Sequence, residues 1–179
     1  MSGSRKAAPL SEGLLIFSDV HRHKARLKAM LKRHQKAVDH VYSLGDSELS
    51  TKTLAKHDIK AVRGNFPFDG GDQDERLETV AGRTLMFVHG HRHGVRGGLA
   101  PLAAEARGKG VDAVFYGHTH VRKCTVLNEV ILINPGAINR PREGTAPSYL
   151  LVSFEGPDTV LTWYEADTHD VLEKTRLEL

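Results

Sequence analysis

Eleven histidines in 179 residues is a high count, and five of them fall into two tight groups: His89, His91 and His93, then His118 and His120. The second group closes the run Phe115-Tyr116-Gly117-His118-Thr119-His120, where a short apolar segment ends at a glycine and two imidazoles. Apolar runs of that length, bounded by a turn residue, read as buried strands. Side chains just beyond such strands stand at the rim of the sheet, where open α/β folds keep their ligand sites. Two imidazoles there make a pair of metal ligands, with Gly117 expected to let the backbone turn tightly before them. Taken alone, the run reads equally well as a polar loop with two histidines in it.

The same arrangement recurs along the chain. Leu14-Leu15-Ile16-Phe17 runs into Ser18-Asp19-Val20-His21, where extended backbone is expected to put Asp19 and His21 on one face. The competing reading makes Ser18 or Asp19 the cap of the helix that follows. Val41 to Leu44 ends in Gly45-Asp46, Ile59 to Val62 in Arg63-Gly64-Asn65, and Thr84 to Val88 in His89. Five apolar strands thus end in side chains with coordinating atoms. A buried cluster of that kind is costly unless cations or hydrogen bonds compensate it. Seven donors (Asp19, His21, Asp46, Asn65, His89, His118 and His120) exceed what one tetrahedral structural zinc takes. They suit two ions sharing a carboxylate, and Asp46, alone on a mid-chain strand end, is the natural bridge. Oxygen and nitrogen donors without thiolate favour Mn, Fe, Zn or Ni over Mg or Ca.

The elements that must position these residues follow from periodicity and punctuation. Residues 24–36 have helical spacing, with Leu27, Met30, Leu31 and His34 on one side and lysines and arginines on the others. Ser50 is placed to cap a short helix over 51–56, and 66–74 reads as loop. Hairpins are expected over 77–88 and 122–133, and a helix from Leu99 to the glycines at 108–110. Two late strands, 148–154 and 159–165, are expected to complete the chain. A hydrophobic fraction of 40% and a charged fraction of 26% describe an ordinary globular protein. One domain over 13–179 is expected, after a structureless lead-in at 1–12. The excess of Lys+Arg 25 over Asp+Glu 22 is mild. One cysteine excludes an intrachain disulfide framework and suits a reducing, cytoplasmic setting. No apolar run approaches the roughly 18 residues needed to span a bilayer.

Asp-x-His, Gly-Asp, Gly-Asn, His-Gly-His and Gly-His-Thr-His, in that order and together with Asn134-Pro135-Gly136, resemble the calcineurin-like metallophosphoesterases, and in particular their compact bacterial and archaeal phosphodiesterase branch. The resemblance covers residues 14–154. It implies an α/β fold, a four-layer α/β/β/α sandwich of two mixed sheets flanked by helices. It also implies a dinuclear centre, with Asp19, His21, Asp46 and His120 on one metal and Asp46, Asn65, His89 and His118 on the other. One departure is plain: many members carry His, or Cys followed by Asp, after Gly-Asn, whereas here Phe66 follows Asn65.

The expected activity is hydrolysis of phosphate esters, diesters before monoesters, by a hydroxide bridging two divalent ions, Mn foremost and Fe, Zn or Ni as alternatives. Asn65 and His89 would position the second metal, and His91 would protonate the leaving oxygen or contact phosphate. Arg92, Arg140 and Arg142 are candidates to bind the substrate anion, against the plainer reading of surface charges. The expected partner is a small phosphate ester, with no membrane partner, and oligomeric state is not readable. Two rival readings remain. One is a silent scaffold on the same fold, like the retromer subunit that lacks the equivalent of His21. The other is a metal-dependent nuclease, disfavoured because no nucleic-acid-binding module or aromatic-basic stacking run is present.

Overall fold

The computed structural model describes residues 12–179; of the lead-in expected over 1–12, residues 1–11 lie outside the described residues. Glu12 is already tied in, its side chain accepting from Ala81 N and its carbonyl from Phe154 N. Two mixed sheets form the centre. The first has six strands: β1 (Gly13–Phe17), β2 (His40–Ser43), β3 (Ile59–Ala61), β9 (Ser148–Glu155), β10 (Asp158–Glu165) and β11 (Val171–Glu178), in the order β11-β10-β9-β1-β2-β3. The second has five: β4 (Glu75–Val80), β5 (Arg83–Val88), β6 (Ala113–Tyr116), β7 (Lys123–Leu127) and β8 (Val130–Asn134), in the order β4-β5-β6-β8-β7. Three α-helices lie among the described residues: α1 (Lys24–His34), α2 (Thr51–Lys56) and α3 (Ala100–Gly108). None of them is long and apolar enough to cross a membrane.

Alternation along the central strands explains why they are apolar on both faces. Leu14 and Ile16 of β1 enter the core between the sheets, while Leu15 and Phe17 enter the core under α1 and α2. On β6, Ala113 and Phe115 face the inter-sheet core, and Val114 and Tyr116 pack under α3. The inter-sheet core holds a ladder of flat rings. Tyr42 stacks on Phe87 with centroids 4.0 Å apart, and Phe87 on Phe115 at 5.2 Å. Helices outside, sheets inside, gives the four-layer sandwich.

β1, β2 and β3 run parallel, as do β5, β6 and β8. Their carboxyl ends therefore share an edge, and the loops that leave them meet there.

Three expectations are corrected. α1 stops at His34 and gives way to a 3-10 turn over Gln35–Ala37 rather than continuing to residue 36. Its cap is His23, whose Nδ1 accepts from Arg26 N, and neither Ser18 nor Asp19 takes that part. The chain does not finish at Glu165: β11 adds an edge strand antiparallel to β10. Its sequence, VLEKTRLE, carries charge between sparse apolar residues. An edge strand with one solvated side needs no more than that, and charge there discourages further pairing.

Candidate metal centre

Two groups of donors assemble at the shared strand edge. Asp19, His21 and His120 form one and Asp46, His89 and His118 the other, and within each group the ligand atoms all lie within 4.8 Å of one another. Asn65 joins the second, its Oδ1 3.0 Å from His89 Nε2. All seven of the donors read from the sequence are therefore brought to one place. His91, Arg92, Arg140 and Arg142 are not part of either group.

The backbone that delivers these side chains is not extended. Asp19 (φ 55°), His21 (φ 42°), Asp46 (φ 50°), His118 (φ 67°) and His120 (φ 61°) are all left-handed. The expectation that Asp19 and His21 share the face of an extended strand is thus corrected: successive turns aim them. Such conformations cost of order 1–3 kcal/mol per residue, and they persist where surroundings over-determine them. Here the surroundings are loops laced together. Asp19 N donates to Gly45 O, His21 N to Asp46 O, Gly117 N to His89 O and Asn139 N to Asp19 O, all at 3.0–3.1 Å. Asn134, fully buried, donates from Nδ2 to Gly117 O and Thr119 Oγ1, and so pins the loop that carries His118 and His120.

Gly117 is required for a different reason from the one expected. Its φ is not positive; instead, a Cβ there would overlap Ser18 Oγ. Gly64 is in the same position against Asp46 Oδ1.

Ring orientation prepares the histidines for a cation. His89 Nδ1 donates to Leu44 O at 2.7 Å, His120 Nδ1 to Arg140 O at 2.7 Å and His21 Nδ1 to Glu48 Oε1 at 3.2 Å. A nitrogen that donates fixes the tautomer and leaves Nε2 as a lone pair. His21 Nε2 and His120 Nε2 then face each other at 3.4 Å, with Asp19 Oδ1 at 3.6 Å and 3.1 Å from them. Asp19 Oδ1 is buried and accepts no hydrogen bond, while Oδ2 takes one from Ser18 Oγ and one from His118 N. In the second group, His89 Nε2 is met by Asp46 Oδ2 at 3.3 Å, Asn65 Oδ1 at 3.0 Å and His118 Nδ1 at 3.2 Å. Converging lone pairs repel unless a cation or a proton stands among them. The residues present therefore fit a metal in each pocket.

The protonation equilibria carry the same signature. Burial opposes charge on Asp19, but His120 and His21 beside it, with the field of His89, overcome this and hold the carboxyl far below its usual range. The Asp19 carboxylate raises His21, and Asp46 raises His89 against its burial. Burial and the neighbouring His89 push His118 down to about 4.

Around these donors stand residues that sequence reasoning missed. Glu48 holds His21, and Arg22 holds Glu48 through an Nε–Oε2 pair at 2.5 Å. Asp69 binds both loops of the second pocket: Oδ2 accepts from Asp46 N and Gly64 N, and Oδ1 from Ser47 Oγ and Glu48 N. Glu48 sits two residues past Asp46, an adjacency that could have marked it. Asp69 lies within a loop of no readable pattern.

His91 borders the second pocket, its ring centroid 5.3 Å from that of His89 and 6.1 Å from that of His118. Its Nδ1 is buried without a partner, and burial, followed by His89, lowers its pKa. Arg92 turns to Asp74 at 3.2 Å. Arg140 serves through its carbonyl, and Arg142 N donates to His120 O while its side chain lines a groove of about 620 Å³ beside Thr119 and Arg96.

A two-sheet α/β sandwich with paired Asp/His pockets at the carboxyl ends of its parallel strands defines the metallophosphoesterase class. A family model described as the calcineurin-like phosphoesterase superfamily domain matches residues 13–156. The probable metallophosphoesterase YsnB of Bacillus subtilis is 34% identical over 158 residues, covering 88% of this chain and 94% of its own. Among solved structures, a conserved protein of Streptococcus pneumoniae described as a predicted phosphoesterase superposes with a TM-score of 0.85 at 23% identity, over 96% of this chain and 100% of its own. Vps29 of Entamoeba histolytica, complexed with Zn, superposes with a TM-score of 0.74 at 20% identity, over 93% of this chain and 98% of its own. The chain belongs to the calcineurin-like phosphoesterase superfamily, in the small bacterial branch that includes YsnB.

Proposed function

We propose that this protein hydrolyses phosphate esters, diesters in preference to monoesters, with two divalent ions as cofactors. The observation that carries the reading is the convergence of donor atoms in two adjacent pockets, one of them holding an orphaned buried carboxylate oxygen, Asp19 Oδ1. Asp19, His21 and His120 would hold one ion, and Asn65, His89 and His118 the other, with Asp46 shared between them. Ions held there supply Lewis acidity toward the phosphoryl oxygens and a lowered pKa for water. Manganese is our first choice, with iron, zinc and nickel suited to the same donors; zinc is the ion in the Entamoeba Vps29 complex.

The protein's own groups then orient and protonate. Asn65 and His89 would position the second ion, and His91, bordering that pocket, would donate a proton to the leaving oxygen. Of the nearby arginines, Arg22 is paired with Glu48 and Arg92 with Asp74, which leaves Arg140 and Arg142 as the candidates to meet the substrate anion. A single cysteine supports a cytoplasmic setting. The complete donor set, His21 included, speaks against a silent scaffold.

The test is elemental analysis of the loaded protein, coupled to turnover of di- and monoester substrates across a panel of metals. Two ions per chain and faster diester turnover are expected. Asp46→Asn should keep the fold by circular dichroism, lose one ion and lower turnover at least ~100-fold. A single tetrahedral ion at saturation, or full activity in Asp46→Asn, overturns the assignment.

A further inference from the structure

Beside the second pocket the chain displays a pair of aromatic rings that the fold does not need. Phe68 is 81% exposed, the most exposed of the large apolar side chains among the described residues. Phe66 meets it at 67° with centroids 6.3 Å apart, an edge-on pair. Behind Phe66 stands Arg22, its guanidinium carbon 5.6 Å from the ring centre. An exposed phenylalanine on a slack loop would be unremarkable, since single apolar side chains often face water. This one is not on a slack loop. Phe66 N donates to Asp46 Oδ1 at 2.9 Å, and Asp69 N closes the turn on Phe66 O. The Asp69 carboxylate then clamps the turn to Asp46, Ser47, Glu48 and Gly64 through four hydrogen bonds. Arg22 is fixed in its turn by Glu48, the same carboxylate that orients His21. The turn that carries the rings is thus held against the donors, and it begins one residue after Asn65.

We propose that Phe66, Phe68 and Arg22 form a stacking platform for a planar aromatic ring, such as a nucleobase, carried on one arm of the phosphate ester. The inference rests on the phosphoesterase reading for its phosphate and adds the class of group attached to it. Rings offer their faces to any flat partner, so stacking selects planarity without reading base edges. Preorganisation matters here, because a turn already held in place loses little freedom when its rings are covered. Two rings are too small a patch for a stable protein interface, which buries about 1,200–2,000 Å². They suit one flat group joined through a sugar to a phosphate held at the metal pockets.

Calorimetric titration of the metal-loaded protein with adenosine 5′-monophosphate and with ribose 5-phosphate isolates the contribution of the ring. The two probes share phosphate and sugar. Base stacking on aromatic side chains predicts ~10-fold tighter binding of the nucleotide. Phe68→Ala should erase most of that ratio, and Phe68→Trp should keep it. Equal affinity of the two probes for wild type, or a ratio unaltered in Phe68→Ala, overturns the platform. Its failure is separable from that of the parent reading. A base preference without turnover of any ester leaves the platform standing and removes the hydrolase; turnover without a base preference does the reverse.

Discussion

His91 is the side chain whose surroundings leave its role most open to chemistry. It borders the second pocket through His89 and His118 without belonging to it, and its buried Nδ1 has no protein partner. A ligand would stand among the converging lone pairs, and a purely structural histidine would have both nitrogens satisfied. If it donates the proton to a departing alkoxide, the cost of losing it depends on the basicity of that group. His91→Ala should lower turnover of alkyl esters by roughly 100-fold or more, in keeping with general-acid contributions. Nitrophenyl esters should lose far less, with two ions still bound. Parallel kinetics on both substrates checks this: an equal loss on both assigns His91 to phosphate contact, and a lost ion assigns it to the metal.

At the scale of elements, the strands were legible and the turns between them were not. β1, β6 and the Leu85–Val88 part of β5 are buried on both faces, so they appear as unbroken apolar runs, and a polar residue after each run marks the rim. That is why the seven donors could be named without coordinates. The left-handed backbone at Asp19 and His21 could not be, because Asp and His tolerate it without any glycine to announce it. β11 was missed since an edge strand with one wet face needs few apolar residues. Asp69 was missed because its work is done by carboxylate oxygens on three backbone amides and the Ser47 hydroxyl, most of them more than twenty residues away in sequence. Those bonds give it a measurable effect. Asp69→Ala should weaken metal binding at the Asp46 pocket by about 10–100-fold, the range for groups that orient ligands. Binding at the Asp19 pocket should weaken less. Competition with a chelator, ion by ion, separates the two, and an equal loss at both pockets would make Asp69 a general stabiliser of the fold.

Considered as a whole, the molecule keeps a second polar cluster outside the donor groups, where α1 meets β9, β10 and the turn before β11. His34 Nε2 lies 2.8 Å from Tyr149 Oη, which lies 2.8 Å from His169 Nδ1, with Tyr164 stacked on Tyr149. Burial, then the charges of Arg33 and His169, lower His34 to about 4 from 6.5. The folded state therefore binds this proton later than the unfolded chain does. Its contribution is complete above pH 6.5 and is lost as pH falls towards 4. Denaturant unfolding at pH 7, 5 and 4 should show a loss of at most about 3 kcal/mol from this group. His34→Gln should flatten the slope over that window, and an unaltered slope would place the acid sensitivity elsewhere.

The second sheet is one contiguous block, Glu75 to Asn134, set between the strands of the first. Each metal pocket draws on both: Asp19 and His21 with His120, and Asp46 with His89 and His118. Neither pocket exists on either sheet alone. A bound ion is then a rivet through the seam, formed only once the two sheets have docked, and its effect on kinetics reports when docking occurs. If docking follows the main barrier, metal should slow unfolding while the refolding rate stays the same, since interactions absent from the transition state act on the unfolding limb. Stopped-flow measurements with and without metal read the two limbs directly. Faster refolding in the presence of metal would mean that the two sheets find each other before the barrier is crossed.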